Sequence, residues 1–405
     1  MRIKKCRACK KNKLKRLFSL GSLCFTGKFP SIYQKIKKGP IELVICNECE
    51  LVQLAHNFNL KYLYGPDYGY RTGINKTMLN HVKQVVKNLS KLTKLKKNDC
   101  VLDIASNDGS LLNYYNKNIV TFGIDPILDK YKNDYKNINY KVSDFFSANK
   151  VINKTKRKFK IITALSVFYD SLDPIKFLKD VKKLLSKDGI FLLEFADLAS
   201  IIQNKMFDTI CHEHLEYYST KVIINLCKKS GLRVFDIKSN EINGASKQYF
   251  VCHINSKIKK KLNIINDILI KEEKLELSKY KTFKKFISDI NISKSELVKK
   301  LKKYKKLGKK IHCYGASTKG NVLLQYYGIN NRLIDYVAER NKNKYNLYTP
   351  GTKIRIISEI VSRFYKPDYY LVLPWHFRKE ILIREKEIIK KGTKFIFPLP
   401  KLKIV

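Results

Sequence analysis

The stretch Val101-Leu-Asp-Ile-Ala-Ser-Asn-Asp-Gly-Ser110 decides the fold class, because it predicts a buried strand that runs into a tight turn and a helix. The next predicted strand, Phe122-Gly-Ile-Asp125, ends in a carboxylate. A turn of small residues lets a ligand approach the backbone, and a carboxylate after the second strand accepts hydrogen bonds from ribose hydroxyls. Together the two stretches predict an α/β unit that binds a nucleoside.

The turn departs from the G-x-G-x-x-G pattern of dehydrogenases, since only Gly109 remains and Ala105 and Asn107 occupy the other small positions. A third strand precedes Ser143-Asp144-Phe145, where contacts to adenine are expected, and the strands Ile161–Leu165 and Gly189–Glu194 follow. Alternating strands and helices predict a parallel sheet with its ligand at the carboxyl ends of the strands. We therefore expect the nucleoside cofactor to contact Asp103, Ala105, Asn107, Gly109, Asp125 and Asp144.

Length and composition describe a folded chain of two to three domains, with 405 residues, 44% of them hydrophobic and 12% aromatic. No apolar run approaches the roughly 18 residues of a membrane span. The start Met1-Arg-Ile-Lys-Lys-Cys6 lacks the apolar core of a signal peptide. These features predict a cytoplasmic protein without a membrane partner.

The formal net charge of +47 raises the question of nucleic acid, because neutralising phosphates requires clustered lysine and arginine. The excess is almost all lysine, and it is spread over every segment of the chain. Readout of bases and phosphates would favour the bidentate fork of arginine. We expect no nucleic-acid partner, although an RNA methyltransferase is kept as an alternative and a general affinity for anions is expected.

Two cysteine pairs near the N-terminus, Cys6-x-x-Cys9 and Cys46-x-x-Cys49, have the spacing of zinc ligands. Four thiolates complete a tetrahedral site and leave no open position, so the expected role of the zinc is structural. The spacer of 36 residues is long and leaves Cys24 and His56 as substitute ligands, and four free cysteines are the alternative. The remaining cysteines are expected to be reduced: Cys100, Cys211, Cys227, Cys252 and Cys313.

The segment Phe207-Asp-Thr-Ile-Cys-His-Glu-His-Leu-Glu-Tyr-Tyr-Ser219 is the candidate catalytic centre, because it concentrates histidine, carboxylate and phenol groups. On an extended segment His212 and His214 would face one side and Glu213 the other. The spacing differs from the H-E-x-x-H of metalloproteases, whose histidines share one helical face. A polar loop in which one histidine satisfies buried backbone is the alternative.

A tyrosine-rich loop, Tyr64–Gly73, precedes a predicted amphipathic helix from about Asn75 to Leu92. Tyrosines in such a loop either pack over the core or cover a polar site. Residues 257–309 predict one or two connecting helices with a solvated lysine face.

Lys310-Ile-His-Cys-Tyr-Gly315 begins a second α/β unit, with a small-residue turn up to Gly320 and a helix from Asn321. Strands are expected at Leu333–Ala338 and Tyr369–Leu373. Amides at a helix N-terminus beside Ser317, Thr318 and Lys319 form an anion site. A plain strand-to-helix turn is the alternative. The unit is available for the nucleotide end of a substrate, since the first unit already holds a nucleoside.

The order and spacing of these elements resemble the class I S-adenosylmethionine-dependent methyltransferases. Within that class, nearly the whole chain resembles the sugar C-methyltransferases that alkylate carbon 3 of nucleotide-linked 4-keto-6-deoxyhexoses. The resemblance rests on the four-cysteine knuckle and on Tyr68-Gly-Tyr-Arg-Thr-Gly73, Ser106-Asn-Asp-Gly109, Phe207-Asp-Thr-Ile-Cys-His-Glu-His214, Asn243-Gly-Ala-Ser246, Tyr314-Gly-Ala-Ser-Thr-Lys-Gly320, Tyr348-Thr-Pro-Gly351 and Leu373-Pro-Trp-His-Phe377. Departures occur at Cys211, Ala245 and His376, where many relatives carry tyrosine, glycine and asparagine.

The resemblance implies a chemistry in which a base removes the proton beside a ketone and the resulting carbanion takes the methyl group of S-adenosylmethionine. His214 matches the family's catalytic histidine, and Tyr70 is implied as the donor that steadies the enolate oxygen. Glu213 is expected to fix the loop or a sugar hydroxyl, with His212 as a further catalytic candidate. The nucleotide-linked keto-sugar is expected to contact Arg71, Asn243, Tyr314, Ser317, Thr318 and Lys319.

The predicted architecture is α/β, with a zinc-knuckle lobe, a doubly wound class I methyltransferase sheet and a C-terminal Rossmann-like domain. The expected divisions are a zinc-binding domain at 1–60, a methyltransferase domain at 61–255, connecting helices at 256–310 and a sugar-nucleotide-binding domain at 311–405. A non-catalytic sugar-nucleotide-binding relative is the further alternative. The sequence leaves the oligomeric state open, with a monomer among the possibilities.

Overall fold

Three β-sheets organise the part of the chain that the structure, a computed structural model, describes, which is residues 1–65 and 68–405. Pro66 and Asp67, in the predicted tyrosine-rich loop, lie outside the described residues. Among the described helices, none has both the length and the apolar character needed to cross a membrane.

The central sheet has seven strands, and its parallel part begins with Cys100–Ile104, flanked by Val120–Ile124 on one side and Phe159–Leu165 on the other. The chain therefore winds first to one side and then to the other, which places a ligand site at the carboxyl end of that first strand. The strands lie in the spatial order Leu232–Asn240, Ser246–His253, Leu185–Phe195, Phe159–Leu165, Cys100–Ile104, Val120–Ile124 and Tyr140–Val142. The predicted doubly wound methyltransferase sheet is confirmed.

The C-terminal sheet repeats this arrangement, because its first strand, Ile311–Tyr314, also lies between two parallel neighbours. Its six strands lie in the order Arg355–Ser358, Tyr336–Glu339, Ile311–Tyr314, Tyr369–Val372, Lys394–Phe397 and Lys403–Ile404. Only the last pair is antiparallel among the described strands of this sheet. The predicted Rossmann-like unit is therefore present.

The N-terminal sheet is antiparallel and draws its fourth strand from a distant part of the chain. Leu14–Cys24 pairs with Lys38–Cys46, which pairs with Val52–Leu54. Val52–Leu54 then pairs with Glu216–Tyr217, directly after the candidate catalytic histidines. A segment predicted to belong to the methyltransferase domain thus completes the sheet of the cysteine-bearing lobe.

The α-helices cover the sheets and connect the two α/β units. The predicted amphipathic helix is Lys76–Thr93, and residues 257–309 form two helices, Leu262–Lys274 and Tyr280–Lys306. The other described α-helices are Leu60–Leu63, Ala148–Ile152, Pro174–Leu184, Leu198–Gln203, Thr220–Lys229, Thr318–Tyr327, Glu359–Phe364, Arg378–Arg384 and Lys386–Lys390. The domain boundaries stay a prediction.

Two sequence predictions of helices need correction. The turn after Cys100–Ile104 leads into a short 3-10 helix at Leu112–Tyr114 and not into an α-helix. In the C-terminal unit the helix begins at Thr318, three residues before the predicted Asn321, because the Ser317 hydroxyl accepts a hydrogen bond from the Gly320 amide at 3.0 Å.

Candidate functional site

A cavity of about 280 Å³ lies at the carboxyl ends of the central strands. Asp103, Ala105, Asn107 and Asp125 line it, as predicted for a nucleoside site. Ala105 and Asn107 both have left-handed backbone, with φ of 60° and 51°. This conformation turns the chain sharply after the strand and brings its backbone to the cavity wall.

The Asp125 carboxylate holds this turn in place. One oxygen accepts a hydrogen bond from the Asn107 amide at 2.9 Å, and the other accepts from the Ile127 amide at 2.8 Å. Each oxygen has a second lone pair, so the carboxylate can also accept from ribose hydroxyls. Burial raises the pKa of Asp125, and it raises that of Asp103 to about 7 although the Thr163 hydroxyl donates to Asp103 at 2.6 Å.

A second cavity of about 270 Å³ lies between the two α/β units. It is lined by nine of the predicted site residues: Tyr70, Arg71, Glu213, His214, Asn243, Tyr314, Ser317, Thr318 and Lys319. Tyr68, Tyr70, Met78 and Ser166 line both cavities. The two cavities therefore meet, which two ligands that exchange a group require.

His214 is held in one tautomer by the backbone. Its Nδ1 lies 2.7 Å from the Thr209 carbonyl oxygen. Because a carbonyl oxygen only accepts, Nδ1 must carry the proton, and Nε2 is left with a lone pair. Burial lowers the His214 pKa to about 3, and the charge of Lys319 contributes. The ring is neutral at physiological pH, with Nε2 unprotonated.

Lys319 enters the same cavity from the first turn of the helix Thr318–Tyr327. Its ammonium donates to the Asn243 carbonyl oxygen at 2.9 Å, and burial lowers its pKa. A helix N-terminus and a lysine both favour an anion. The predicted anion site beside Ser317 and Thr318 therefore has the local structure that it needs.

Tyr70, Arg71 and Tyr314 also line this cavity, but they differ in how free they are. Tyr70 is 43% exposed as a whole residue, but burial at its hydroxyl end raises its pKa to about 12. Arg71 pairs with Asp108 at 3.1 Å. The Tyr314 hydroxyl donates to Glu385 at 2.6 Å. Of the two tyrosines, Tyr70 has the hydroxyl better placed to donate to a ligand, because the Tyr314 hydroxyl already donates to Glu385.

The four predicted zinc ligands, Cys6, Cys9, Cys46 and Cys49, come together, with their sulfur atoms within 4.8 Å of one another. Sulfur ligands of a tetrahedral zinc lie about 3.8 Å apart when each Zn–S bond is about 2.3 Å. Cys6 and Cys49 are 3.6 Å apart, and Cys9 and Cys46 are 3.5 Å apart. The donor set and its dimensions fit zinc. The proposed substitutes Cys24 and His56 lie outside this group.

Consecutive parts of the chain match three known families. A zinc binding domain matches residues 6–64, a methyltransferase domain matches residues 75–237 and a C-methyltransferase C-terminal domain matches residues 241–400. The C-methyltransferase NovU of Streptomyces niveus is 26% identical over 369 residues, which are 90% of this chain and 87% of that protein. The chain is an S-adenosylmethionine-dependent C-methyltransferase.

Other proteins match less than half of this methyltransferase. A tRNA U34 carboxymethyltransferase of Campylobacter jejuni is 26% identical over 164 residues, or 37% of this chain and 54% of that protein. A solved S-adenosylmethionine-dependent methyltransferase from Clostridium acetobutylicum has 14% identity and covers 43% of this chain and 92% of its own, with a TM-score of 0.35. A likeness at that score supports no inference about substrate.

Two residues predicted to bind the cofactor of this methyltransferase lie outside the first cavity. Gly109, with φ of 73°, packs against Tyr135 and shapes the turn from behind. The Asp144 side chain is 47% exposed and pairs with Lys150 at 2.6 Å, which lowers its pKa. Its neighbour Phe145, from the same predicted stretch, lines the cavity, whereas Asp144 does not, and cofactor binding by Asp144 stays a prediction.

The prediction that His212 and His214 face one side is wrong. Residues 211–213 form a bend and a turn, with the His214 amide donating to the Cys211 carbonyl at 3.2 Å. His212 is fully buried outside both cavities, where its Nε2 lies 3.0 Å from the Gly39 carbonyl oxygen and its ring meets Phe25 edge-on. His212 therefore pairs with a buried backbone carbonyl, which is the alternative that the sequence left open for one of the two histidines.

Glu213 faces the cavity together with His214, contrary to the expectation for an extended segment. Its carboxylate accepts hydrogen bonds from the Gly27 amide at 3.1 Å and from the Thr26 hydroxyl at 3.3 Å. Burial raises its pKa. The carboxylate connects the loop that carries His214 to the N-terminal lobe, as the expectation that it fixes the loop implies.

Sequence reasoning missed three acidic residues near the cavities. Asp170 lines the first cavity, and within the described residues its Oδ1 is buried without a partner. Asp208 accepts a hydrogen bond from the Trp375 indole at 2.8 Å. Glu339 ends a strand of the C-terminal unit and lines the second cavity. Of the three, only Glu339 could have been predicted from the sequence, because it is the carboxylate at the end of the second strand of an α/β unit.

Proposed function

We propose that this C-methyltransferase acts on a nucleotide-linked keto-sugar, by removing a proton from the carbon beside the ketone and methylating that carbon. The observation that carries the proposal is His214, whose free Nε2 lone pair belongs to the wall of a cavity between two nucleoside-type units. Such a lone pair suits proton abstraction. The similarity to a C-methyltransferase over 90% of the chain supports carbon as the methylated atom.

S-adenosylmethionine supplies an electrophilic methyl group when it is bound against Asp125 and the Ala105–Asn107 turn. The remaining work falls to residues of the chain. As the carbon–hydrogen bond breaks, His214 Nε2 takes the proton and negative charge moves to the ketone oxygen. A donor aimed at that oxygen stabilises the charge. We assign this donor role to Tyr70, because a hydroxyl with a pKa of about 12 stays protonated.

The nucleotide end of the substrate is assigned to the C-terminal unit. A diphosphate is an anion, and the N-terminus of the helix Thr318–Tyr327 offers amides and the Lys319 ammonium to it. Arg340 and Arg384 line the same cavity, where Arg340 pairs with Glu380 and Arg384 pairs with Glu359. This arrangement supports a small phosphorylated acceptor held at one end of the cavity with its reacting carbon near His214.

The test measures solvent hydrogen exchange at the carbon beside the ketone by NMR, with S-adenosylhomocysteine present so that no methyl transfer occurs. We expect His214→Ala to lower the exchange rate by about 10²–10⁴-fold, the usual contribution of a general base. Tyr70→Phe should slow exchange less. Tyr33→Phe, which changes a tyrosine that is 93% exposed, is the matched control. Exchange at the wild-type rate in His214→Ala would assign the base role to another residue.

An RNA substrate is the rival, because a tRNA U34 carboxymethyltransferase is 26% identical over 37% of the chain. Ligands that bind the native state raise the thermal midpoint. We therefore expect a panel of nucleotide-linked 4-keto sugars, and not RNA, to stabilise the protein against heat. Stabilisation by RNA alone would overturn the proposal, and binding of a nucleotide sugar without turnover of the donor would indicate a non-catalytic relative.

A further inference from the structure

The cysteine cluster and the His214 loop are connected by a buried network that starts at Arg7. Arg7 lies between Cys6 and Cys9, in the first cysteine turn, and its guanidinium is almost completely buried. An arginine in an exposed knuckle would ordinarily point into water, since burying its charge without partners is costly. Its partners therefore indicate what the burial achieves.

The Arg7 guanidinium donates to three backbone carbonyls from two parts of the chain. It bonds to Leu54 at 2.7 Å and His56 at 2.9 Å in the N-terminal lobe. It also bonds to Leu215 at 3.4 Å, which directly follows His214. The Leu215 carbonyl accepts a second hydrogen bond from the Leu54 amide at 2.8 Å. The backbone beside His214 is thus held from the lobe on two sides.

Gln53 joins this arginine to the cysteine cluster. Its side-chain NH₂ donates to the Cys6 sulfur at 3.2 Å, and its carbonyl oxygen accepts from the Arg7 amide at 3.0 Å. Hydrogen bonds from an outer residue orient a metal ligand. The same Gln53 oxygen also accepts from the Arg7 guanidinium at 3.4 Å. Because Gln53 is fully buried, the position of the Cys6 sulfur and that of the Arg7 side chain depend on each other.

Two residues that follow His214, Glu216 and Tyr217, complete the connection. Glu216 pairs with Gln53 in the antiparallel ladder, and its carboxylate lies 3.9 Å from the Arg7 guanidinium. Tyr217, the next residue, donates from its hydroxyl to the His214 carbonyl at 3.0 Å. Both the strand pairing and the tyrosine therefore fix the backbone on which the His214 imidazole stands.

We propose that Arg7 and Gln53 are positioning residues that make the alignment of His214 depend on the metal bound by the four cysteines. The metal takes no part in the reaction under this proposal. It fixes the cysteine turn, the turn fixes Arg7, and Arg7 fixes the carbonyl that follows His214. The part that concerns proton removal rests on the proposed function of His214, whereas the mechanical connection does not.

The first experiment uses full-length Arg7→Gln, which keeps a hydrogen-bonding side chain but removes the charge and its fork. We expect zinc content by elemental analysis, donor affinity and the KM for the nucleotide sugar to stay at wild-type values. The rate constant for proton exchange should fall by about tenfold or more, because small misplacements of a catalytic group are costly. Lys13→Ala, which removes a surface ion pair to Glu48, is the matched control.

The second measurement does not depend on activity. Hydrogen–deuterium exchange should rise in the peptide covering residues 211–217 of Arg7→Gln, while residues 311–327 keep their protection. Zinc withdrawal from the wild-type protein by a chelator should produce the same pattern. The chelator measurement on the wild-type protein tests the proposal even if Arg7→Gln fails to fold.

Wild-type protection of residues 211–217 after zinc withdrawal would overturn the proposal. So would Arg7→Gln with zinc bound and an unchanged rate constant. If His214→Ala keeps its proton exchange while residues 211–217 still respond to zinc, the proposed base is wrong and the mechanical connection stands.

Discussion

In both α/β units a carboxylate fastens the turn that follows the first strand, but only in the C-terminal unit does that turn open an α-helix. In the central unit, Asp125 accepts from the amide of Asn107 in the turn at 2.9 Å. In the C-terminal unit, Glu339 accepts from the amide of Ala316 in the turn at 2.7 Å. Each carboxylate follows the second strand and fastens the turn after the first. The turn of the central unit then leads into a 3-10 helix, whereas the other opens the helix Thr318–Tyr327.

This difference matches the charge of the ligand proposed for each unit. S-adenosylmethionine carries no phosphate, so a carboxylate and exposed backbone are sufficient to hold it. A nucleotide sugar carries a diphosphate, for which a helix N-terminus and a lysine are favourable partners. The comparison therefore predicts that damage to one unit weakens one ligand and leaves the other unaffected.

The largest effect is expected for Asp125→Ala in the central unit. The substitution removes an acceptor for two backbone amides and for the ribose, and hydrogen bonds to a charged group contribute about 1.5–3 kcal/mol each. Donor affinity should fall by about ten- to a hundredfold. Calorimetry with S-adenosylhomocysteine measures it, and the affinity for the nucleotide sugar should stay unchanged. Equal loss of both ligands would show that Asp125 supports the fold as a whole.

In the C-terminal unit, Lys319→Ala should raise the KM for the nucleotide sugar by about tenfold, the scale of one charge-assisted hydrogen bond. Donor affinity should not change, because Lys319 lines only the second cavity. Steady-state kinetics and calorimetry provide the two readouts. Lys379→Ala is the control, since Lys379 forms an exposed ion pair with Glu241. If both ligands weaken together, the turn around Lys319 is structural.

A smaller effect is expected for Glu339→Gln, the counterpart of the Asp125 substitution. Glutamine keeps one acceptor oxygen and replaces the other with a donor. Either the Ala316 amide or the amides of Arg340 and Asn341, which share one oxygen, therefore lose their partner. The KM for the nucleotide sugar should rise by less than in Lys319→Ala. A change in donor affinity instead would contradict the assignment of one ligand to each unit.

The sequence was sufficient to predict the α/β order, because apolar strands and small-residue turns are local signals. It also predicted the cysteine cluster, since two C-x-x-C turns have the spacing of zinc ligands. The extent of helix was harder to predict. Whether an α-helix follows the turn depends on tertiary packing of residues 105–114, which no periodicity in that stretch reports.

The orientation of the loop that carries His214 could not be predicted from the residues alone. His212 and His214 have the same spacing in a strand and in a turn, but only in a strand do they share a face. The turn arises from long-range contacts, such as the hydrogen bonds from Thr26 and Gly27 to Glu213. The side-chain direction of Asp144 was likewise not predictable, because it depends on an ion pair with Lys150.

The smallest expected effect concerns pH, and it connects the two units through His214. A base works only while it is unprotonated, so its rate falls as pH drops through its pKa. Burial lowers the His214 pKa to about 3, whereas an ordinary imidazole would lose half its activity near pH 6.5. When proton exchange is measured in the presence of S-adenosylhomocysteine, the pH profile of kcat/KM reports the His214 pKa in enzyme that has S-adenosylhomocysteine bound but no nucleotide sugar. We expect it to stay flat from pH 8 down to about 5, provided the substrate's own ionisation is corrected for.

Bound substrate should change this, because the charge of Lys319 contributes to the low His214 pKa. An anionic diphosphate beside Lys319 offsets that charge, so the His214 pKa in the complex should be higher than in the enzyme without acceptor. The acid limb of kcat should accordingly lie at higher pH than that of kcat/KM. Lys319→Ala should move the limb of kcat/KM upward and reduce the gap between the two profiles. Profiles that coincide in the wild-type protein would mean that the C-terminal unit binds the acceptor without acting on the base.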